Sequence, residues 1–264
     1  MARALALKLG LLAVFAIEWL LLPFPSSMIA MAFTLAAFVT LLTWLIVSPR
    51  AQWFVPTVHR GDEHVPSLAL TFDDGPDPVV TKEVLRVLRE HDAKATFFVV
   101  GERVLAHPDV VRAIESEGHL VGSHSFTHSH SFHFGGRKKM AEDIQRGIDA
   151  IASVTGSVPR FFRPPQGLRV PTLRDALRLT KPVTCVTWSA RGRDSLETTP
   201  EAIVARLEHA LVPGAILTLH DGTGLGGGTN RAPTLEALKR LLETMRQKKI
   251  AAVRLDDLLG RASP

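Results

Sequence analysis

The chain has 264 residues, 46% of them hydrophobic, and a formal net charge of +5 at pH 7 spread over mixed acids and bases. That length supports one sizeable domain with an appendage, and the mild, dispersed charge excludes the concentrated basic footprint of a nucleic-acid binder. The single cysteine, Cys185, excludes a disulfide within the chain.

In chain order, the first features point to a membrane. Residues 28–47 form an apolar run without a charge, about the 20 residues that cross a bilayer core. Residues 9–22 are also apolar but carry Glu18, and Pro23-Phe24-Pro25-Ser26-Ser27 separates the two runs. This first segment reads as a second span or an interfacial helix. A cleaved signal peptide fits poorly, because no Ala-x-Ala site precedes the second run. Arg3 and Lys8 argue for a cytoplasmic N-terminus. With one span the rest of the chain lies outside; with two it returns to the cytoplasm. Glu18 reads as a helix-end or hairpin contact, and residues 48–66 as a linker.

Leu68-Ala69-Leu70-Thr71-Phe72 then delivers Asp73 and Asp74 to a Gly-Pro turn, the pattern of a buried strand ending in paired acids. Adjacent strand residues point to opposite sides, so the two acids take different roles unless the turn re-aims one. Strands at 95–100, 119–123, 182–188 and 250–254, with others running into Arg163 and His220, alternate with helices at 79–91, 108–117, 138–154, 172–179, 200–211 and 234–247. Strands alternating with helices predict a parallel sheet, and seven of them a closed or nearly closed barrel.

His124 and His128, four apart after the 119–121 apolar run, share one face of a helical loop and can grip a divalent cation, with one of the two Asp residues as third ligand. A His-rich surface loop is the alternative, since His130 and His133 follow. Phe161-Phe162-Arg163-Pro164-Pro165-Gln166 is an apolar run that leaves one cation at a rigid turn, and 215–222 is a buried-strand pattern ending in His220-Asp221-Gly222. The glycine-rich segment 222–230 lacks the Gly-Lys-Ser/Thr ending of a phosphate loop and reads as a βα loop beside His220.

These motifs, in this order, resemble the polysaccharide deacetylase family, the NodB-homology domain of carbohydrate esterase family four, over residues 65–259. The resemblance implies a distorted, truncated (β/α) barrel with about seven parallel strands, spanning 67–264, after a membrane anchor at 1–47 of one or two helices and the 48–66 linker. It implies a hydrolase that removes N-acetyl groups from N-acetylglucosamine-type sugars of a peptidoglycan or chitin-like glycan. Carried over, Asp73 is the base, Asp74, His124 and His128 are the metal ligands, Arg163 holds the base, Asp194 tunes His220, and His220 is the general acid. Gln166 offers a backbone N–H to the oxyanion, and Leu219 and Trp188 join it in binding substrate. The metal is one divalent ion, zinc first, with cobalt, nickel or iron suiting the same donors.

Three departures concern the substrate alone. Gln166 is polar where an aromatic is frequent, Ser195 follows Asp194 where Trp is usual, and Thr218 stands where Leu is common before His220. They leave open a membrane lipid-linked amino sugar as substrate, and, from another class, an inactive anchored carbohydrate-binding domain. The implied location is the bacterial cell membrane, with the catalytic domain outside unless the N-terminus forms a two-helix hairpin.

Overall fold

Ser67–Asp73 is buried at every position, because a strand in the middle of a parallel sheet is covered on both faces. This strand, β1, is the axis of the domain in a computed structural model that describes residues 2–196, 198–222 and 230–260. The other strands are β2 (Ala95–Val99), β3 (Leu120–Ser123), β4 (Phe161–Phe162), β5 (Thr184–Cys185), β6 (Ala190–Arg191), β7 (Ile216–His220) and β8 (Ala251–Ala252). Their order is β5-β4-β3-β2-β1-β7-β6, all parallel, a half-barrel of the expected kind. The short β8 pairs with the start of β1.

Two apolar helices lead the chain, α1 (Ala2–Leu21) and α2 (Ser26–Val47). At 1.5 Å per residue they are about 30 and 33 Å long, and both are long and apolar enough to cross a membrane. The first is thus longer than the 9–22 run, since its polar first turns are helical too. The helices pack against each other, and Thr34 Oγ1 donates to Glu18 Oε1 at 2.5 Å, making Glu18 a hairpin contact.

The remaining helices cover the sheet: α3 (Val80–Glu90), α4 (Gly101–Ala106), α5 (Pro108–Ser116), α6 (Gly136–Thr155), α7 (Leu173–Leu177), α8 (Pro200–Leu207), α9 (Ala232–Gln247) and α10 (Leu255–Leu258). Their starts carry local signals. Asp77 Oδ1 accepts from the amides of Val79 and Val80 ahead of α3, and the Thr199 side chain accepts from Ala202 N with Pro200 in the first turn of α8. Leu85, Val87 and Leu88 of α3 and Leu238 and Leu241 of α9 meet β1, β2 and β7 in the main core. The helices α4 and α10 and the two-residue β6 are too short for a periodic signal.

The 48–66 stretch is packed into the domain rather than free. Ala51, Phe54 and Val55 are buried, Val58 bridges to Val186 just past β5, and Arg60 bridges to Ala215 just before β7. The segment therefore ties together the two flanks of the open sheet, and alternation too weak to mark a strand hid that role.

The hairpin and the domain meet at a second apolar cluster in which Leu45, Phe54, Leu173 and Ala176 are buried, with Leu7, Leu42 and Ile46 against it. Arg169, 1% exposed, caps the last turn of α2. It donates through Nη2 to the carbonyls of Ile46 (3.0 Å) and Ser48, and through Nη1 to Ala51 O at 3.4 Å. A cation on these carbonyls satisfies acceptors that the helix end leaves open. Arg169→Ala is expected to destabilise the full-length protein in detergent by about 1.5–3 kcal/mol, the range for hydrogen bonds to a charged group, read by denaturant unfolding. Arg169→Lys should recover part of the loss.

Candidate active site

The C-terminal ends of β1, β3, β4 and β7 converge on a cavity of about 570 Å³. Register sets the heights: Asp73 pairs with His220 across β1 and β7 and with Phe98 across β1 and β2. Asp74 is buried and adopts a left-handed φ of 73°. That turn re-aims the second acid, so both carboxylates reach one cavity although they are sequence neighbours.

Asp74 Oδ1 lies 3.5 Å from His124 Nε2 and 3.2 Å from His128 Nε2, and the candidate ligand atoms all fall within 4.8 Å of one another. Three features fit this set to a divalent cation. His124 Nδ1–H donates to the Arg163 carbonyl at 2.8 Å, which leaves Nε2 as the bare donor facing Asp74. Burial, with the neighbouring His124, pushes the His128 imidazole down to about 4 and keeps it neutral. Burial opposes ionisation of Asp74, but its interactions with the His124 imidazole, aided by His220 and His128, outweigh it and hold the carboxyl below the usual range.

Beneath the cavity lies Arg163, fully buried. Its Nη1 donates to Asp73 Oδ1 and to Thr71 Oγ1, each at 2.7 Å, and its Nη2 to the Thr187 carbonyl at 2.9 Å. The guanidinium lies 4.1 Å from the centroid of the Phe98 ring. Across the cavity, His220 Nδ1–H donates to Asp194 Oδ1 at 2.8 Å, while Asp194 Oδ2 accepts from the His220 amide and from Thr234 Oγ1, each at 2.9 Å. Burial disfavours the imidazolium, but the Asp194 carboxylate overrides it and pushes His220 up to about 9. His220 is therefore a cation at neutral pH, with Nε2 left to protonate a leaving group.

Gln166 lines the cavity in a left-handed conformation, φ 53°. His133 braces it, with Nε2–H donating to Pro165 O (3.1 Å) and Gln166 Oε1 (3.2 Å). Trp188 lines the cavity too, and its ring lies where a Cβ on Gly167 would fall, so that residue must be glycine. A Cβ on Gly222 would likewise collide with the Asp74 carbonyl.

Leu219 is a correction. Expected to meet substrate, it is 1% exposed in the main core, because alternation along β7 sends it away from the face that Thr218 and His220 share. The sequence also left unmarked Arg191, Arg193 and Leu196 in the cavity lining, and Thr234 and Arg231 behind Asp194. Arg191, Arg193, Leu196 and Arg231 lie on short or irregular segments and Thr234 in the first turn of α9, none of them within a motif. The 223–229 part of the glycine-rich loop lies outside the described residues.

Comparison with known proteins bears on this geometry. Residues 60–181 match the family described as Polysaccharide deacetylase. The chain is 32% identical over 193 residues to a peptidoglycan-N-acetylglucosamine deacetylase of Bacillus cereus, an alignment that takes in 73% of this chain and 87% of the relative. The chain belongs to the polysaccharide deacetylase family. A second deacetylase relative, the chitooligosaccharide deacetylase of Sinorhizobium fredii, is 34% identical over 74% of this chain and 93% of its own length. Among solved structures, a family 4 acetyl xylan esterase of Clostridium thermocellum in complex with a cobalt ion superposes with a TM-score of 0.65 at 32% identity, covering 72% of this chain and 89% of that one. As a member of the deacetylase family, the chain is a hydrolase.

Two outcomes follow from the supports under the acid and the base. Asp194→Asn removes the charge that raises His220, so the alkaline limb of the kcat/KM profile, expected near pH 9, should move to lower pH by at least about one unit. Arg163→Met leaves Asp73 buried without its cation and should cost about 3–5 kcal/mol in denaturant unfolding.

Proposed function

We propose that this protein is a metal-dependent N-deacetylase of N-acetylglucosamine-type sugars. The observation that carries the reading is a base and an acid facing one cavity in register, each with its own partner: Asp73 on Arg163 and His220 on Asp194. A carbohydrate-binding domain would need neither. The peptidoglycan and chitooligosaccharide substrates in the relatives' names support an N-acetylated glycan.

A divalent cation held by Asp74, His124 and His128, zinc by preference for this donor set, supplies Lewis acidity that polarises a carbonyl and acidifies water. Asp73, fixed by Arg163, accepts the proton of the attacking water as its oxygen bonds to the acyl carbon. The Gln166 backbone N–H stabilises the oxyanion. His220 then gives its Nε2 proton to the sugar nitrogen as the carbon–nitrogen bond breaks, releasing acetate and a free amino sugar.

The two leading helices are proposed to form a two-span membrane hairpin. Both of its free ends meet the domain: Arg3 Nη1 donates to Trp53 O at 2.6 Å, and Arg169 holds the end of α2. A hairpin puts the N-terminus and the catalytic domain on one side, and Arg3, Lys8 and Arg50 assign that side to the cytoplasm. The expectation of an outside domain rested on a single span. A second reading of the substrate, an amino sugar linked to a membrane lipid, is favoured by an apolar groove of about 330 Å³ lined by Leu7, Leu11, Phe38, Leu42, Phe54 and Pro171.

The test is acetate release by the zinc-loaded full-length protein in detergent, from N-acetylglucosamine oligomers and from a lipid-linked N-acetylglucosamine in vesicles. Asp73→Asn should reduce release at least about 100-fold, the lower bound for a lost general base. Equal release by the variant would overturn the assignment.

A further inference from the structure

One wall of the cavity carries two cations that the deacetylation above does not use. Arg191 ends β6 in register with Thr218 of β7, so both side chains emerge on the cavity face, one strand across from the acid His220. Arg193 follows with a left-handed φ of 55°, and both arginines line the cavity beside Ser195. The Arg191 guanidinium lies 5.5 Å from the centroid of the Trp188 ring, which steadies it at the cavity wall.

Among the described residues neither arginine side chain has a carboxylate partner or a hydrogen bond. The cavity's own carboxylates are engaged: Asp73 by Arg163, Asp74 by the two histidines. Burial, and then the charge of Arg193, lower the pKa of Arg191. Two adjacent guanidinium groups beside an imidazolium repel one another, and an anion supplied by the ligand relieves that repulsion. A neutral N-acetylglucosamine oligomer supplies none. Guanidinium forks match the oxygens of a phosphoryl group in geometry and charge.

We propose that Arg191 and Arg193 form an anion subsite for a phosphoryl group carried by the amino-sugar substrate. The inference rests on the deacetylase reading and adds the substrate's class. Two sources offer this chemistry: a soluble sugar phosphate, and a sugar joined through phosphate to a membrane lipid. The hairpin favours the second. Pro171 of the apolar groove follows Gln166 of the cavity by five residues, which bounds the separation of their Cα atoms at about 18 Å. A lipid chain in the groove and its sugar in the cavity are thus within reach of one molecule.

Two measurements on the full-length protein in detergent test the subsite, against an Arg191→Ala/Arg193→Ala double variant and an Arg191→Lys/Arg193→Lys control. The first is calorimetric binding of N-acetylglucosamine 1-phosphate to the metal-free protein. Binding should weaken with added salt and fall about 10- to 100-fold in the Ala variant, the equivalent of one hydrogen bond to a charged group, with partial recovery in the Lys control. The second compares kcat/KM of the zinc-loaded protein for three substrates: a chitooligosaccharide, N-acetylglucosamine 1-phosphate, and the same sugar phosphate on a polyprenyl lipid in vesicles. The phosphorylated substrates should be preferred at least about tenfold by the wild type, with the preference lost through KM in the Ala variant. Preference for the lipid-borne form over the soluble one identifies the source. Binding and preference that are absent, or unchanged in the Ala variant, overturn the subsite. Hydrolysis of none of the three substrates, with sugar-phosphate binding still arginine-dependent, overturns the deacetylase reading and keeps the subsite.

Discussion

A single buried guanidinium holds the active site together. Arg163 binds Asp73 and Thr71 of β1 and the Thr187 carbonyl through its side chain, and its own carbonyl accepts from His124. Asp73, His124 and two strands are thereby fixed to one residue. A cation with no solvent access is costly unless its hydrogen bonds and a counter-charge are supplied, so the surrounding strands are constrained to deliver an acid, a hydroxyl and a carbonyl at one height. Asp74, freed by its left-handed backbone, turns to the histidines instead.

The same logic recurs at the other rim. Asp194 is buried and its two oxygens serve the His220 ring, the His220 amide and Thr234, so the acid is both oriented and kept charged. Asp73 and His220, the proposed base and acid, then stand on adjacent strands, in register, with the candidate cation site beside them. The separation of roles between two cation–carboxylate pairs follows from burial: each buried carboxylate has one cationic partner, Arg163 for Asp73 and His220 for Asp194.

Hairpin and catalytic domain are physically continuous. Arg169 lies three residues beyond Gln166 and seals the end of α2, so the turn that lines the cavity leads directly to the residue that grips the leading hairpin. The stretch read as a linker is part of this joint, contributing Phe54 and Val55 to the apolar cluster and Val58 and Arg60 to the sheet. A cavity so close to the leading hairpin suits the proposed substrate at a bilayer surface, and two arginines without a carboxylate partner among the described residues suit one that carries charge.

Much of this was legible in the residues themselves. Alternation and helical spacing marked the strands and most helices, because burial on a sheet or a helix face imposes a period that the chain must carry locally. Asp73, Asp74, Arg163 and His220 stood out because they end apolar runs at turns, and His124 and His128 by their spacing of four after one. Residues 48–66, β6, Leu219 and the arginine pair did not. Val58 and Arg60 form single bridges, which leave no pattern; Leu219 needed the strand's facing to be known; and Arg191 gains meaning only beside Thr218. By itself, then, the sequence determined the parallel α/β sheet, the apolar leading helices and the residue types at the strand ends, since these follow from local periodicity and chemistry, while the truncation of the barrel came from the family resemblance. Only the tertiary structure decided which carboxylate turned toward the histidines, how the hairpin met the domain and which cations entered the cavity, because those depend on register and close approach between segments far apart in the chain.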